Sequence, residues 1–270
     1  MTMAFATNSG VRIFWTEQGA GEPILLIMGH RWDHRMWHRI APELAARHRV
    51  IMFDNRGVGQ SDKPAGPYTA AQMAGDALAV LDAAGIDRAH VYGASMGGQI
   101  AQEVALAAPD RVLSLILGCT AAGTPNKFPK WRQATAWPAY WANPEEARLA
   151  RLVKRNIYGP ATTDEDIAAD QVVFSAHKND RRGLIAQAHA VFDFDSLDRI
   201  GRITAPTLVL HGDSDRNVPL AWGRELAAAI PGAHIVVLQG AGHLYMSGRS
   251  ADANTATLDF IAAHSTSTSS

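Results

Sequence analysis

The stretch Val91-Tyr92-Gly93-Ala94-Ser95-Met96-Gly97-Gly98 restricts the possible folds more than any other part of the chain. An apolar run from Ala89 to Tyr92 stops at a Gly-x-Ser-x-Gly core, and a helix-like pattern from Gln99 to Leu106 follows at once. A strand, a tight turn and a helix in that order bring two backbones almost into contact. Gly93 and Gly97 stand where a larger side chain would clash. The turn predicts a strained backbone at Ser95, with its hydroxyl held out at the carboxyl end of the strand. A serine so placed is a candidate nucleophile, whereas the same spacing without a strand and helix around it would mean little.

The rest of the chain supplies partners for that unit. Ile24 to Met28 is a continuous apolar run, the pattern of a strand covered on both faces; Val50 to Phe53 and Arg111 to Leu117 read as further buried strands, and Thr207 to Leu210 resumes the alternation. Val11 to Thr16 alternates as a strand, and His234 to Leu238 is another candidate. Helical spacing runs from Trp37 to Ala46, from about Met73 to Gly85, from about Leu220 to Ile230 and from Asp252 to Ala263. Such alternation predicts an α/β fold, a mostly parallel sheet of about eight strands covered by helices on both faces. Between Ala121 and about Asp195 the rhythm breaks, and Trp131, Trp137, Tyr140 and Trp141 cluster beside prolines. This segment is expected to be a helical cap inserted after the sixth strand. The expected division is a core of residues 1–120 and 196–264, a cap of 121–195 and a disordered polar tail of 265–270.

With 270 residues, 47% of them hydrophobic, the chain can bury one large core. A net charge of −1 gives no electrostatic case for binding nucleic acid or an anionic membrane surface. No basic segment followed by a long apolar one opens the chain, and no apolar run approaches the roughly 20 residues that span a bilayer. Cys119 is the single cysteine and cannot form an internal disulfide. That fits a reducing compartment, so a cytoplasmic location is expected. Nothing in the composition separates a monomer from a homodimer.

A serine hydroxyl needs a base to take its proton, and the base needs an acid to fix its tautomer. Both are available after Ser95. The strand at 207–210 runs into His211-Gly212-Asp213-Ser214-Asp215, and the strand at 234–238 into Gln239-Gly240-Ala241-Gly242-His243. Functional groups gather at the carboxyl ends of such strands, so these loops are expected on one sheet edge with Ser95. The residues alone leave Asp213 and Asp215 as competing acids. His211, at a strand end, reads as structural. His30, His34 and His38 recur every four residues, which could mark a metal face; loop histidines before a helix are the plainer reading, and no metal is expected. Gly57-x-Gly59 lacks the third glycine of a dinucleotide-binding loop.

Four segments carry a resemblance to a known family: Asp33-His34-Arg35-Met36-Trp37, Phe53-Asp54-Asn55-Arg56-Gly57-Val58-Gly59-Gln60-Ser61-Asp62, the serine turn, and His211-Gly212-x-x-Asp215-x-x-Val218-Pro219. From about Val11 to Ala263 the chain resembles the α/β-hydrolase superfamily, and more loosely its small esterases and 3-oxoadipate enol-lactonases. The resemblance implies Ser95 as nucleophile, His243 as general base and acid, and Asp215 as the orienting carboxylate, leaving Asp213 to cap a turn. It also implies an oxyanion hole made by the backbone N–H groups of Met96 and His30. Here the chain departs from the family's usual His-Gly-apolar-Gly, reading Met28-Gly29-His30-Arg31-Trp32 instead. The glycine missing at Arg31 puts the path of this loop in question. His30 and Arg31 either reach into the pocket, as a further donor or a partner for an anionic substrate, or point to solvent. Trp32 either lines the site or packs under the insertion. Gly29, Arg31, Trp32, Trp137 and Trp141 are the expected substrate-binding residues. The implied activity is hydrolysis of a carboxylic ester or lactone through an acyl-enzyme, with no cofactor. A cofactor-free perhydrolase, a carbon–carbon hydrolase, a lyase or a slow-turnover ligand receptor on the same scaffold are the alternatives.

Overall fold

The computed structural model describes residues 2–123, 156–176 and 180–265. Eight strands form one sheet: β1 (Thr2–Asn8), β2 (Val11–Gln18), β3 (Pro23–Ile27), β4 (Arg49–Phe53), β5 (Ala89–Ala94), β6 (Val112–Gly118), β7 (Thr207–Gly212) and β8 (His234–Leu238). Their spatial order is β1-β2-β4-β3-β5-β6-β7-β8, antiparallel at β1/β2 and β2/β4 and parallel from β4 onward. The central strands read as unbroken apolar runs because both their faces are covered. On β3, Leu25 and Ile27 face one layer while Ile24 and Leu26 face the other. The first layer holds α2 (Ala70–Ala83), α3 (Met96–Ala107) and α6 (Leu220–Ala229). The second holds α1 (Ala41–Ala45) and α7 (Met246–Ala262), with Trp37 wedged beneath the sheet.

Three local readings of the sequence are corrected. The helix expected over Trp37 to Ala46 is split into a 3-10 turn, His34–Trp37, and the short α1. Pro42 is the cause: it has no N–H to donate, and its ring excludes the carbonyl of the residue four earlier. The strand β1, absent from the sequence reading, pairs along its whole length with β2. The tight turn joining them places Ser9 at φ +50° and Gly10 at φ +79°, the left-handed pair that suits a two-residue hairpin. Finally, α7 starts at Met246 rather than Asp252, with a kink through Ser247, Gly248 and Arg249.

After β6 the chain leaves the sheet, and it returns toward β7 at an isolated antiparallel bridge between Gly123 and Asp195. Between these points lie α4 (Asp164–Ser175) and α5 (Arg181–Phe192). Both are fastened to the sheet domain by buried polar groups. On α4, Asp170 is fully buried and receives Arg39 Nε at 3.2 Å and the Ser247 hydroxyl. On α5, the Ala186 carbonyl accepts from Tyr68 N at 3.1 Å. The loop after β4 is held by a buried two-pronged ion pair, Arg56 to Asp76 of α2, with both hydrogen bonds at 2.6 Å. A pair this well bonded costs little to keep, but losing one member would leave a buried, uncompensated charge.

Candidate active site

Ser95 sits at the junction of β5 and α3 with φ +56° and ψ −120°. This is a region L-residues rarely occupy, and strain here is offset by packing around the turn. The Ser95 N–H donates to the Gly118 carbonyl at 2.8 Å, and its carbonyl accepts from Thr120 Oγ1 at 2.8 Å. A Cβ on Gly93 would overlap the Gly97 carbonyl, and one on Gly97 would overlap the Ile27 carbonyl. The glycines are therefore fixed by backbone contact.

The loops after β7 and β8 meet this turn. His243 Nε2 lies 3.0 Å from Ser95 Oγ, and His243 Nδ1 lies 2.8 Å from Asp215 Oδ2. Asp215 is buried, and its other oxygen accepts the N–H groups of Asn217 and Val218 at 2.8 and 2.9 Å. A carboxylate so held cannot rotate away from the imidazole, so it presents one oxygen to Nδ1. Asp213 points elsewhere: its Oδ1 accepts from Gly240 N at 2.8 Å and from Ser214 Oγ at 3.0 Å, tying the β7 loop to the β8 loop. His211 is buried, and its Nε2–H donates to the Val218 carbonyl at 2.8 Å; burial pushes its pKa down. The segment from Ile157 to Thr162 runs along the His243 loop, with Leu244 N donating to Ile157 O and Ala161 N to Gly240 O. Nothing in the local sequence of that segment announced this contact.

The loop after β3 passes beside Ser95. A Cβ on Gly29 would stand 3.0 Å from Ser95 Cβ and 3.6 Å from Oγ, so the loop runs alongside the Ser95 hydroxyl at this residue. Opposite the loop, Met96 opens α3, and a first-turn N–H has no partner within its own helix. Gly29 to Trp32 forms a turn, closed by Trp32 N to Gly29 O at 3.4 Å, with Arg31 at φ +71°. The third residue of such a turn is where glycine usually stands. Arginine thus takes up the left-handed conformation in glycine's place. Its guanidinium lies 4.8 Å over the Trp32 ring, and Trp32 stacks on Phe174 of α4 at 4.1 Å.

The His30 ring turns toward α5, where Nε2 donates to the Leu184 carbonyl at 3.0 Å. A carbonyl can only accept, so the ring's one proton is on Nε2. Burial drives the His30 pKa down to about 4, which leaves the ring neutral at physiological pH. A neutral ring with its N–H already engaged provides neither a third oxyanion donor nor a cation for an anionic substrate. The folded pKa lies below the unfolded value of about 6.5, so the unfolded chain binds the proton first. Stability from this residue is complete above about pH 6.5 and lost as pH falls toward 4. Urea unfolding across that window should show a steeper loss for the wild-type chain than for His30→Gln; identical slopes would refute the assignment.

His34 Nδ1 contacts Asp54 Oδ1 at 2.6 Å, and His38 lies 3.5 Å from Asp170. With His30 on Leu184, the three histidines face three different partners. Asp33, His34 and Asp54 do stand close enough to share an ion. However, Asp33 already accepts three N–H groups of Arg35, and both oxygens of Asp54 are bonded to the loop. Trp131, Trp137, Tyr140 and Trp141 lie outside the described residues, as does the tail from 266. Cys119 is buried, and burial raises its thiol pKa well above the usual range. Among the described residues no helix is long and apolar enough to cross a membrane.

A family model described as the alpha/beta hydrolase fold matches residues 22–247. A protein of Azorhizobium caulinodans with the provisional name carbamate hydrolase RutD is 32% identical over 246 residues, covering 90% of this chain and 92% of that one. The rhodomycin D methylesterase DnrP of Streptomyces peucetius is 31% identical over 277 residues, covering 90% and 92%. The enol-lactonase structure from Burkholderia xenovorans LB400 superposes with a TM-score of 0.83 at 29% identity, over 96% of this chain and all of that one.

Proposed function

The chain belongs to the α/β-hydrolase family, and from that premise we propose that it cleaves carboxylic esters or lactones through an acyl-enzyme on Ser95. One observation carries the reading: a single imidazole, His243, bridges the strained Ser95 hydroxyl and the fixed Asp215 carboxylate at 3.0 and 2.8 Å. As the serine oxygen attacks the carbonyl carbon, His243 Nε2 takes its proton, and Asp215 holds the imidazolium that results. The carbonyl oxygen becomes an oxyanion between the amides of Met96 and His30, each worth a few kcal/mol to the transition state. Collapse expels the alcohol, which takes the proton back from His243. Water, deprotonated by the same ring, then releases the acid and restores Ser95. No step draws on a cofactor.

The relatives act on different bonds, a carbamate, a methyl ester and an enol lactone by their names. What they share is attack on an acyl carbon, and the proposal stays at that level. In this reading residues 121–195 form the cap over a core of 1–120 and 196–264. Trp137 and Trp141, with Gly29, Arg31 and Trp32, would select the acyl and alcohol groups. A panel of p-nitrophenyl esters of increasing chain length, with simple lactones alongside, is expected to show turnover. A p-nitrophenyl phosphonate is expected to transfer its phosphonyl group to Ser95 with release of p-nitrophenol, so that the peptide carrying Ser95 gains the phosphonyl mass. A folded sample that neither turns over the panel nor takes the label would overturn the proposal. Ligand-induced stabilisation without turnover would assign the fold to a receptor instead.

A further inference from the structure

We propose that Gln187 of α5 is a positioning residue for the second oxyanion amide, an inference that rests on the hydrolase reading above. Gln187 is fully buried and has both ends of its amide engaged. Its Oε1 accepts the N–H of Arg31 at 2.9 Å, and its Nε2 donates to the Arg56 carbonyl at 2.8 Å. The residue it grips is the one after His30, whose amide the hydrolase reading assigns to the oxyanion hole. One turn earlier on the same helix, the Leu184 carbonyl holds the His30 ring. The turn from Gly29 to Trp32 is thus clamped from a single helix at two successive residues.

The clamp explains the arginine at φ +71°. A non-glycine residue resists that conformation, and left to itself the loop would relax away from it. A hydrogen bond to the Arg31 N–H from outside the loop holds the strained geometry. The support behind Gln187 is itself rigid. Arg56 is locked by its ion pair with Asp76, and α5 meets the Arg56 loop through Gly183 against Gly57, where a Cβ on Gly183 would overlap the Gly57 carbonyl. On the other side, Asn55 Nδ2 donates to the Met28 carbonyl at 2.7 Å. The oxyanion loop therefore lies between two anchors from the loop after β4, one direct and one relayed by Gln187. Because the relay comes from a helix outside the sheet, displacing α5 would release the Arg31 side of the loop while the Asn55 anchor stays in place.

The test compares the full-length wild-type chain with Gln187→Met, similar in volume but unable to bond either backbone, and Gln187→Glu, which keeps an acceptor for Arg31. Amide exchange by mass spectrometry reads the loop in a peptide covering residues 28–33. Steady-state kinetics on p-nitrophenyl butyrate, with phenylboronic acid as an inhibitor that forms a tetrahedral adduct, read the chemistry. For Gln187→Met the loop should exchange about tenfold faster, kcat should fall about tenfold with KM within about twofold, and boronate affinity should fall alongside kcat. Gln187→Glu should lie between it and the wild type. Unchanged loop exchange, or kcat and KM moving together, would overturn the inference. If Gln187→Met does not fold, Gln187→Glu is judged alone, with a loss of at least about threefold in kcat at constant KM as the requirement. A wild-type chain inert to every ester and to boronate would refute the hydrolase reading. The exchange data would then decide on their own whether Gln187 holds the loop.

Discussion

Ser95→Ala is expected to lower kcat for p-nitrophenyl esters by about six orders of magnitude, and Asp215→Asn by about four. Asp213→Asn should stay within about threefold of the wild type. The ordering follows from the contacts. In the proposed mechanism Ser95 supplies the bond-forming oxygen, so its loss leaves only what the amides of the site can do for an attacking water. Asp215 in that mechanism makes no bond to substrate, yet its contact with Nδ1 sets which nitrogen of His243 carries the proton. An asparagine there can donate to Nδ1, which would place the proton on Nε2 and aim it at the hydroxyl it should deprotonate. Asp213 reaches only Gly240 N and Ser214 Oγ, so its loss loosens two loops without touching the proton path. Kinetics on purified, active-site-titrated variants check the series. An Asp213→Asn loss as large as that of Asp215→Asn would move the acid to the other carboxylate.

The choice between those two acids shows where sequence reasoning stops. Two carboxylates two residues apart occupy the same loop, and residue type and spacing cannot say which turns inward. The resemblance to a family favoured Asp215, and a 2.8 Å contact to His243 now stands beside that expectation. The sheet was legible because burial on both faces writes itself as continuous apolar runs. The Ser95 turn was legible because only glycine tolerates backbone contacts on both sides. By contrast, β1 mixes small, polar and apolar residues, and Met3 and Phe5 remain exposed, so no simple period marked it; the Ser9-Gly10 turn was the available clue. Gln187 left no local trace at all. A buried glutamine on a helix is defined by two backbone groups more than 130 residues away in sequence. The departure at Arg31 was visible, but the side chain that accommodates it was not.

The largest effect on the fold itself is expected from Gly97→Ala, a change of one methyl group. At this position the added carbon would overlap the Ile27 carbonyl oxygen, with Ile27 C at 2.6 Å and Met28 O at 2.9 Å. All three are backbone atoms of β3 and of the residue following it, at the centre of the sheet. Relief requires α3 to move off the sheet or β3 to shift its register with β4 and β5. Either movement disturbs a close-packed core, and the cost should exceed about 4 kcal/mol, outside the usual range for a point change. Against a total stability of roughly 5–15 kcal/mol, that would lower Tm by about 10 °C or more, or leave the variant insoluble. Gly232→Ala supplies the contrast. Its φ is +71°, but an added Cβ would meet nothing within 4 Å, so only the left-handed strain of about 1–2 kcal/mol remains. Thermal unfolding of the two variants separates collision from conformational strain. Equal melting temperatures would mean that the contact between α3 and β3, and with it the placement of Ser95, has been drawn wrongly.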